Sequence, residues 1–111
     1  MKWELTKYFS FSSSFEQDGK VIGHNYRLGL TLDRLTAEAE NLFVSKIQTH
    51  LISKIHSQDL RLHTPWFEGR RIDEESLLLK FSEIISQHCP EISLRRLSLE
   101  RDSKTAVTLQ L

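Results

Sequence analysis

The side chain with the widest chemical repertoire in this chain, His24, stands where a strand pattern turns it toward apolar neighbours. From Tyr26 the residues alternate strictly, with Tyr26, Leu28, Leu30 and Leu32 apolar and Arg27, Gly29, Thr31 and Asp33 small or polar, the period of a half-buried strand. Residues two apart on a strand share a face, so Ile22 and His24 lie on the apolar side with Tyr26. An imidazole there can ligate a metal, move a proton, or be satisfied by a hydrogen bond from a neighbouring strand or loop. Asp18 could act as a base, although before Gly19 it also reads as a turn residue. His50 and His56 are six apart, too far to share a helix face as ligands would. Cys89 has no histidine placed by sequence to activate it and reads as a buried residue at a helix end.

The elements that must position these groups follow from periodicity. From Trp3 to Phe15 the odd positions carry Trp3, Leu5, Phe9, Phe11 and Phe15, interrupted by Lys7 and Ser13, which predicts a strand with one wet face. The polar run Glu16 to Lys20, with its Asp-Gly pair, predicts a tight turn into the second strand. Leu42, Phe43, Val44, Ile47, Leu51, Ile52 and Ile55 recur at helical spacing, about four turns by the rise per residue, with Asn41 or Thr36 as a cap. Residues 57–71 form a connection with unusual loop aromatics, Trp66 and Phe67. A second helix starts at Asp73, buries Leu77, Leu78, Phe81, Ile84 and Ile85, and stops before Pro90. Strands over Ile92 to Glu100 and Thr105 to Leu111 complete a β-β-α-α-β-β order. This predicts an α+β domain spanning residues 1–111, with a four-stranded antiparallel sheet and both helices on one face.

Two motifs in the first hairpin resemble those of a known family. Ile22-Gly23-His24-Asn25-Tyr26 is similar to the His-Gly-His-Asn-Tyr signature of the 6-pyruvoyl- and 6-carboxy-tetrahydropterin synthases, and Phe11-Ser12-Ser13-Ser14-Phe15 to their upstream Phe-Ser-Ala-Ala-His. The element order also matches that family's tunnelling fold. The resemblance implies zinc bound by three histidines, which fall here on Phe15, Ile22 and His24. Only His24 survives, and one imidazole does not hold a catalytic zinc that needs three protein ligands, so no metal and no cofactor are expected. The family's catalytic cysteine falls on Asp18, and its Asp-His pair on Asp59-Leu60 or Ser57-Gln58, leaving Asp18 and Asp59 as weak catalytic candidates.

The carboxylate that holds the pterin in the family falls on Glu100. Its two acceptors side by side match the two donors on the 2-amino and N3 edge of a pterin or guanine. Glu75 carries a weaker version of the same role, since a first-turn glutamate already complements the helix dipole. The resemblance further implies a homo-oligomer, trimer or hexamer, closing a barrel by strand pairing, with pockets at subunit boundaries. The sheet edges ask for such cover, the last strand above all.

Composition narrows the partners. With 15 basic and 15 acidic residues the formal charge is zero, which argues against general attraction to nucleic acid or an anionic membrane. There is no bilayer-length apolar run, the first residues lack the apolar core of a signal peptide, and one cysteine allows no internal disulfide. A cytoplasmic protein is expected. The expected function is that of a divergent tetrahydropterin synthase-like protein without zinc-dependent lyase activity, keeping a pterin- or purine-shaped pocket around Glu100, Glu75 and His24. The alternative is an active lyase acting on 7,8-dihydroneopterin triphosphate through a rearranged site.

Overall fold

A computed structural model describes residues 2–60, 66–67 and 72–111. Two 14-residue strands, β1 (Glu4–Gln17) and β2 (Lys20–Asp33), form an antiparallel hairpin paired along its whole length. At roughly 3.4 Å per residue such strands run about 48 Å, and they set the 49 Å long axis of the molecule. Asp18 and Gly19 make the turn, with φ of 54° and 78°. Two left-handed residues in a two-residue loop match the twist of the flanking strands, which is why Asp-Gly serves here.

The covered face of the hairpin follows the alternation. Phe9, Phe11 and Phe15 of β1 and Tyr26, Leu28, Leu30 and Leu32 of β2 are buried, whereas Trp3, at the strand's entry, is 65% exposed. The two interruptions have partners. Lys7 forms an ion pair with Glu40, and the buried Ser13 Oγ donates to the Ile55 carbonyl at 2.6 Å.

Helix α1 (Ala37–Ile47) begins at Thr36, whose hydroxyl accepts from the Ala39 N–H at 3.2 Å. It continues into a π-helical turn (Gln48–Ile52) and a short α2 (Ser53–Ile55). The wide turn allows Ile47, Leu51, Ile52 and Ile55 all to be buried. Leu42, counted in the apolar stripe by its spacing, is instead 56% exposed. After α2, the two-residue β3 (Gln58–Asp59) pairs in parallel with Ser13 and Ser14. Within the predicted connection, Phe67 is buried and Trp66 packs against the core, so both turn inward onto their own chain.

Helix α3 (Glu74–His88) is capped by Asp73, which accepts from the Ser76 N–H at 2.8 Å while Ser76 Oγ accepts from the Asp73 N–H at 2.9 Å. Leu77, Leu78, Phe81, Ile84 and Ile85 are buried. Cys89 follows as a buried C-cap, and burial pushes its thiol up, away from nucleophilic use. His88 stacks on His50 with centroids 3.9 Å apart, joining the end of α3 to the π turn.

Strands β4 (Leu94–Arg101) and β5 (Thr105–Gln110) complete the sheet in the order β3-β1-β2-β4-β5. The antiparallel sheet has the four long strands expected, with β3 as a short parallel addition at one edge. Among the described residues, edge strand β5 pairs with β4 alone. No helix among the described residues is long and apolar enough to cross a membrane.

Candidate functional site

The hairpin's outer half and the β4–β5 turn meet at a polar junction built around Asp102. Asp102 and Ser103 both adopt left-handed backbone, φ 52° and 59°, and the Lys104 N–H closes the turn onto the Arg101 carbonyl at 3.1 Å. Non-glycine residues in this region carry strain that their surroundings must offset. The Asp102 N–H donates to the Asn25 carbonyl at 2.9 Å, and its carboxylate accepts from the Asn25 N–H at 3.2 Å. These contacts extend the β2–β4 ladder one step past Tyr26 and Arg101.

The other carboxylate oxygen of Asp102 lies 2.7 Å from His24 Nδ1. An ionised carboxylate only accepts, so the proton between them is carried on Nδ1. The hydrogen bond from His24, reinforced by the Asn25 backbone, holds the Asp102 carboxyl below the usual carboxylate range. The His24 ring meets Tyr26 edge to face, 5.8 Å between centroids.

A second set of hydrogen bonds ties this junction to the end of α2. Ser12 Oγ donates to Asn25 Oδ1 at 2.6 Å, the Ser12 N–H donates to His56 Nδ1 at 3.1 Å, and the Ser57 N–H donates to the Ser12 carbonyl at 2.5 Å. Two clefts open here. One, of about 390 Å³, is lined by His24, Asp102, Ser14, Ser57 and Gln58. The other, of about 460 Å³, lies among Phe11, Tyr26, Arg27, His56, Glu100 and Asp102. Phe11 stacks on Tyr26 at 5.2 Å beside it. Burial, then the charge of Glu74, pushes the Tyr26 phenol up to about 12, so the group remains a neutral hydrogen-bonding phenol.

Glu100 stands on the opposite sheet face from His24, because it pairs in register with Arg27, one residue out of phase with the apolar side chains of β2. Both of its oxygens are engaged. Arg27 Nε donates to Oε2 at 2.9 Å and Arg27 Nη2 to Oε1 at 2.7 Å, and the guanidinium lies 4.3 Å from the Tyr8 ring centroid. Tyr8 in turn covers Gly29. A Cβ at Gly29 would sit 2.7 Å from Ser98 Oγ and 3.0 Å from Tyr8 Cε1, so the missing side chain is what lets the ring lie down.

The other sequence candidates are dispersed. Asp18 is exposed at the hairpin tip. Asp59 pairs through its backbone with Ser14, and its carboxylate lies outside the described side chains. Glu75 is exposed in the first turn of α3, while its neighbour Glu74 accepts from Arg101 Nη1 at 2.7 Å. Sequence reasoning missed Asp102, His56, Arg27 and Tyr8. Asp102 and Arg27 carried a legible signal: a carboxylate in the turn after the third long strand, and a cation whose strand parity matches that of Glu100.

The residues do not fit the zinc that the family resemblance implies. Phe15 and Ile22 face each other directly across the β1–β2 register, Phe15 is 4% exposed, and neither offers a lone pair. Among the described residues no three or more His, Cys, Asp or Glu side chains gather where they could hold a metal ion.

No protein-family model matches the chain, and no curated protein matches it. Among solved structures the chain is similar to the 6-pyruvoyl tetrahydropterin synthase of Caenorhabditis elegans, with a TM-score of 0.83 over 100% of this chain and 96% of that one, at 14% identity. The likeness establishes the fold, a four-stranded antiparallel sheet with helices in the tunnelling arrangement.

Proposed function

We propose that this chain is a tetrahydropterin synthase-like protein without zinc-dependent lyase chemistry, a cytoplasmic homo-oligomer that binds a pterin- or purine-shaped molecule beside Glu100. The observation that carries the reading is the Phe15–Ile22 pair. Hydrocarbon occupies both positions at which the resemblance calls for imidazoles, and the remaining histidine is held by Asp102. What persists is recognition geometry: a cleft of about 460 Å³ with Phe11 and Tyr26 in its wall and a carboxylate at its rim. That volume accommodates a flat bicyclic heterocycle, and Glu100 supplies acceptors for a two-donor edge. In this reading His24 belongs to the adjoining cleft of about 390 Å³, and Glu75, in the first turn of α3, stands apart from both clefts.

Assembly into a trimer or hexamer is supported by the edges. Among the described residues β5 has no outer neighbour, and β3 covers the β1 edge only along Ser13 and Ser14. A cytoplasmic setting accords with a single, buried, unpaired thiol.

Thermal shift with pterin and guanine, comparing the native chain with Glu100→Gln, tests the pocket. A ligand-dependent rise in melting temperature that the substitution removes is the expected result, and a shift indifferent to it removes Glu100 from the site. About one zinc per purified chain, or turnover of dihydroneopterin triphosphate at ordinary enzymatic rates, would overturn the non-catalytic reading. Sedimentation showing a monomer would overturn the assembly.

A further inference from the structure

We infer that Arg27 is an internal stand-in for the ligand of Glu100, and that Glu100 and Tyr8 together form a receptor for a flat group bearing two parallel N–H donors. The ligand identity rests on the function proposed above, whereas the receptor geometry rests on Arg27 alone. The guanidinium presents Nε–H and Nη2–H side by side to the two Glu100 oxygens, at 2.9 and 2.7 Å, and its central carbon sits over the Tyr8 ring, 4.3 Å from the centroid. The 2-amino-4-oxo edge of a pterin or guanine contains the same fragment, a carbon bonded to an amino group and a ring N–H. A group that satisfies Glu100 in this way is therefore matched in shape, donor direction and stacking surface by that heterocycle.

Two features make the occupancy exchangeable. The Arg27 side chain is 48% exposed, and exposed ion pairs are weak, so it can swing out without disturbing the core. The pair also divides space. Arg27, Glu100 and Ser103 line both the cleft of about 460 Å³ and a neighbouring one of about 420 Å³, which would join once the guanidinium leaves. Among the described residues only Arg27 donates to the Glu100 carboxylate, so its departure leaves both acceptors open. Arg27 thus acts as an autoinhibitory side chain, and a ligand must outcompete it.

The test uses the full chain with methylguanidinium, pterin and guanosine as probes, each titrated by NMR against wild type, Arg27→Ala, Arg27→Lys and Arg27→Ala with Glu100→Gln. Arg27→Ala is expected to bind methylguanidinium at least about tenfold more tightly than wild type, with Arg27→Lys intermediate and the double variant back at or below wild type. Pterin and guanosine are expected to follow the same order. Equal or weaker methylguanidinium binding by both Arg27 variants overturns the inference, and using both keeps the test valid if one folds poorly. A methylguanidinium gain with no binding of either heterocycle upholds the receptor and refutes the proposed ligand class.

Discussion

On the helix-covered face of the sheet, Phe9, Phe11, Phe15, Leu28, Leu30, Leu97 and Leu99 are buried against the helices. The bare face of the same strands carries Arg27–Glu100, Arg95–Asp33 and Arg96–Glu4 ion pairs, all partly open to water. Glu4 and Asp33 stand directly opposite each other, a like-charge pairing that would destabilise the sheet. The register shift at Thr31 and Leu32 leaves Arg95 as an extra residue beside Arg96, so each acid receives its own guanidinium. The difference teaches what each face can offer chemically. Close packing puts hydrocarbon without a lone pair at Phe15 and Ile22 on one side, while the solvated side carries paired charges that water can reach.

The comparison breaks most sharply in the core. Phe11→Ala removes a ring that stacks on Tyr26 and meets Phe81 edge-on at 6.0 Å. It is expected to cost about 3–5 kcal/mol in urea unfolding. A loss under about 1 kcal/mol would mean that the covered face is loosely packed. Putting donors back on that face is the next largest change. Phe15→His with Ile22→His should weaken the metal-free protein by about 2–4 kcal/mol through lost packing and buried polar atoms. It should also confer zinc binding, read as a zinc-dependent rise in melting temperature. No zinc response would show that these positions do not converge with His24.

On the bare face, Gly29→Val drives a branched side chain into Tyr8 and Ser98 and is expected to cost about 1–3 kcal/mol, tilting the platform under Arg27. A neutral result would remove close approach as the reason for glycine there. The smallest effect is electrostatic. The carboxyls of Asp33 and Asp102 are held below their ordinary value of 3.8, chiefly by Arg95 and His24 respectively. Stability from a lowered carboxyl is present above the unfolded value and lost as pH falls through the folded one. Asp33→Asn with Asp102→Asn should therefore lower the urea midpoint slightly at pH 7, with the gap to wild type closing as pH falls below 3.8 and through the lowered folded values. A gap that stays constant with pH would assign the effect to geometry rather than charge.

The fold was legible because its signals are local. The Asp18-Gly19 turn, the alternation through Tyr26 to Leu32 and the cap at Asp73 each report on neighbours in sequence. The site was legible only in part. His24 and Glu100 stood out by residue type, but their partners Asp102 and Arg27 are 78 and 73 residues away in the chain. Which carboxylate meets which cation depends on strand order and register, and no short-range pattern encodes that. The sequence spacing of His50 and His56 separated them correctly, yet it gave no hint that His50 would meet His88 and His56 would accept from Ser12. Leu42 likewise belonged to the apolar period and is exposed, since it lies about 100° round the helix from Phe43, which with Ile47 marks the face that meets the core.

That π-helical turn, Gln48–Ile52, amounts to one surplus residue lodged in the helix. Excising it would restore an even spiral, but each residue of an α-helix advances about 100°, so everything downstream would rotate by that angle. Ile55 would swing out of the hydrophobic interior, and its carbonyl would leave the Ser13 hydroxyl stranded below the hairpin. The helix's irregularity is thus the spacer that lets its far end dock on the strand beside the cleft.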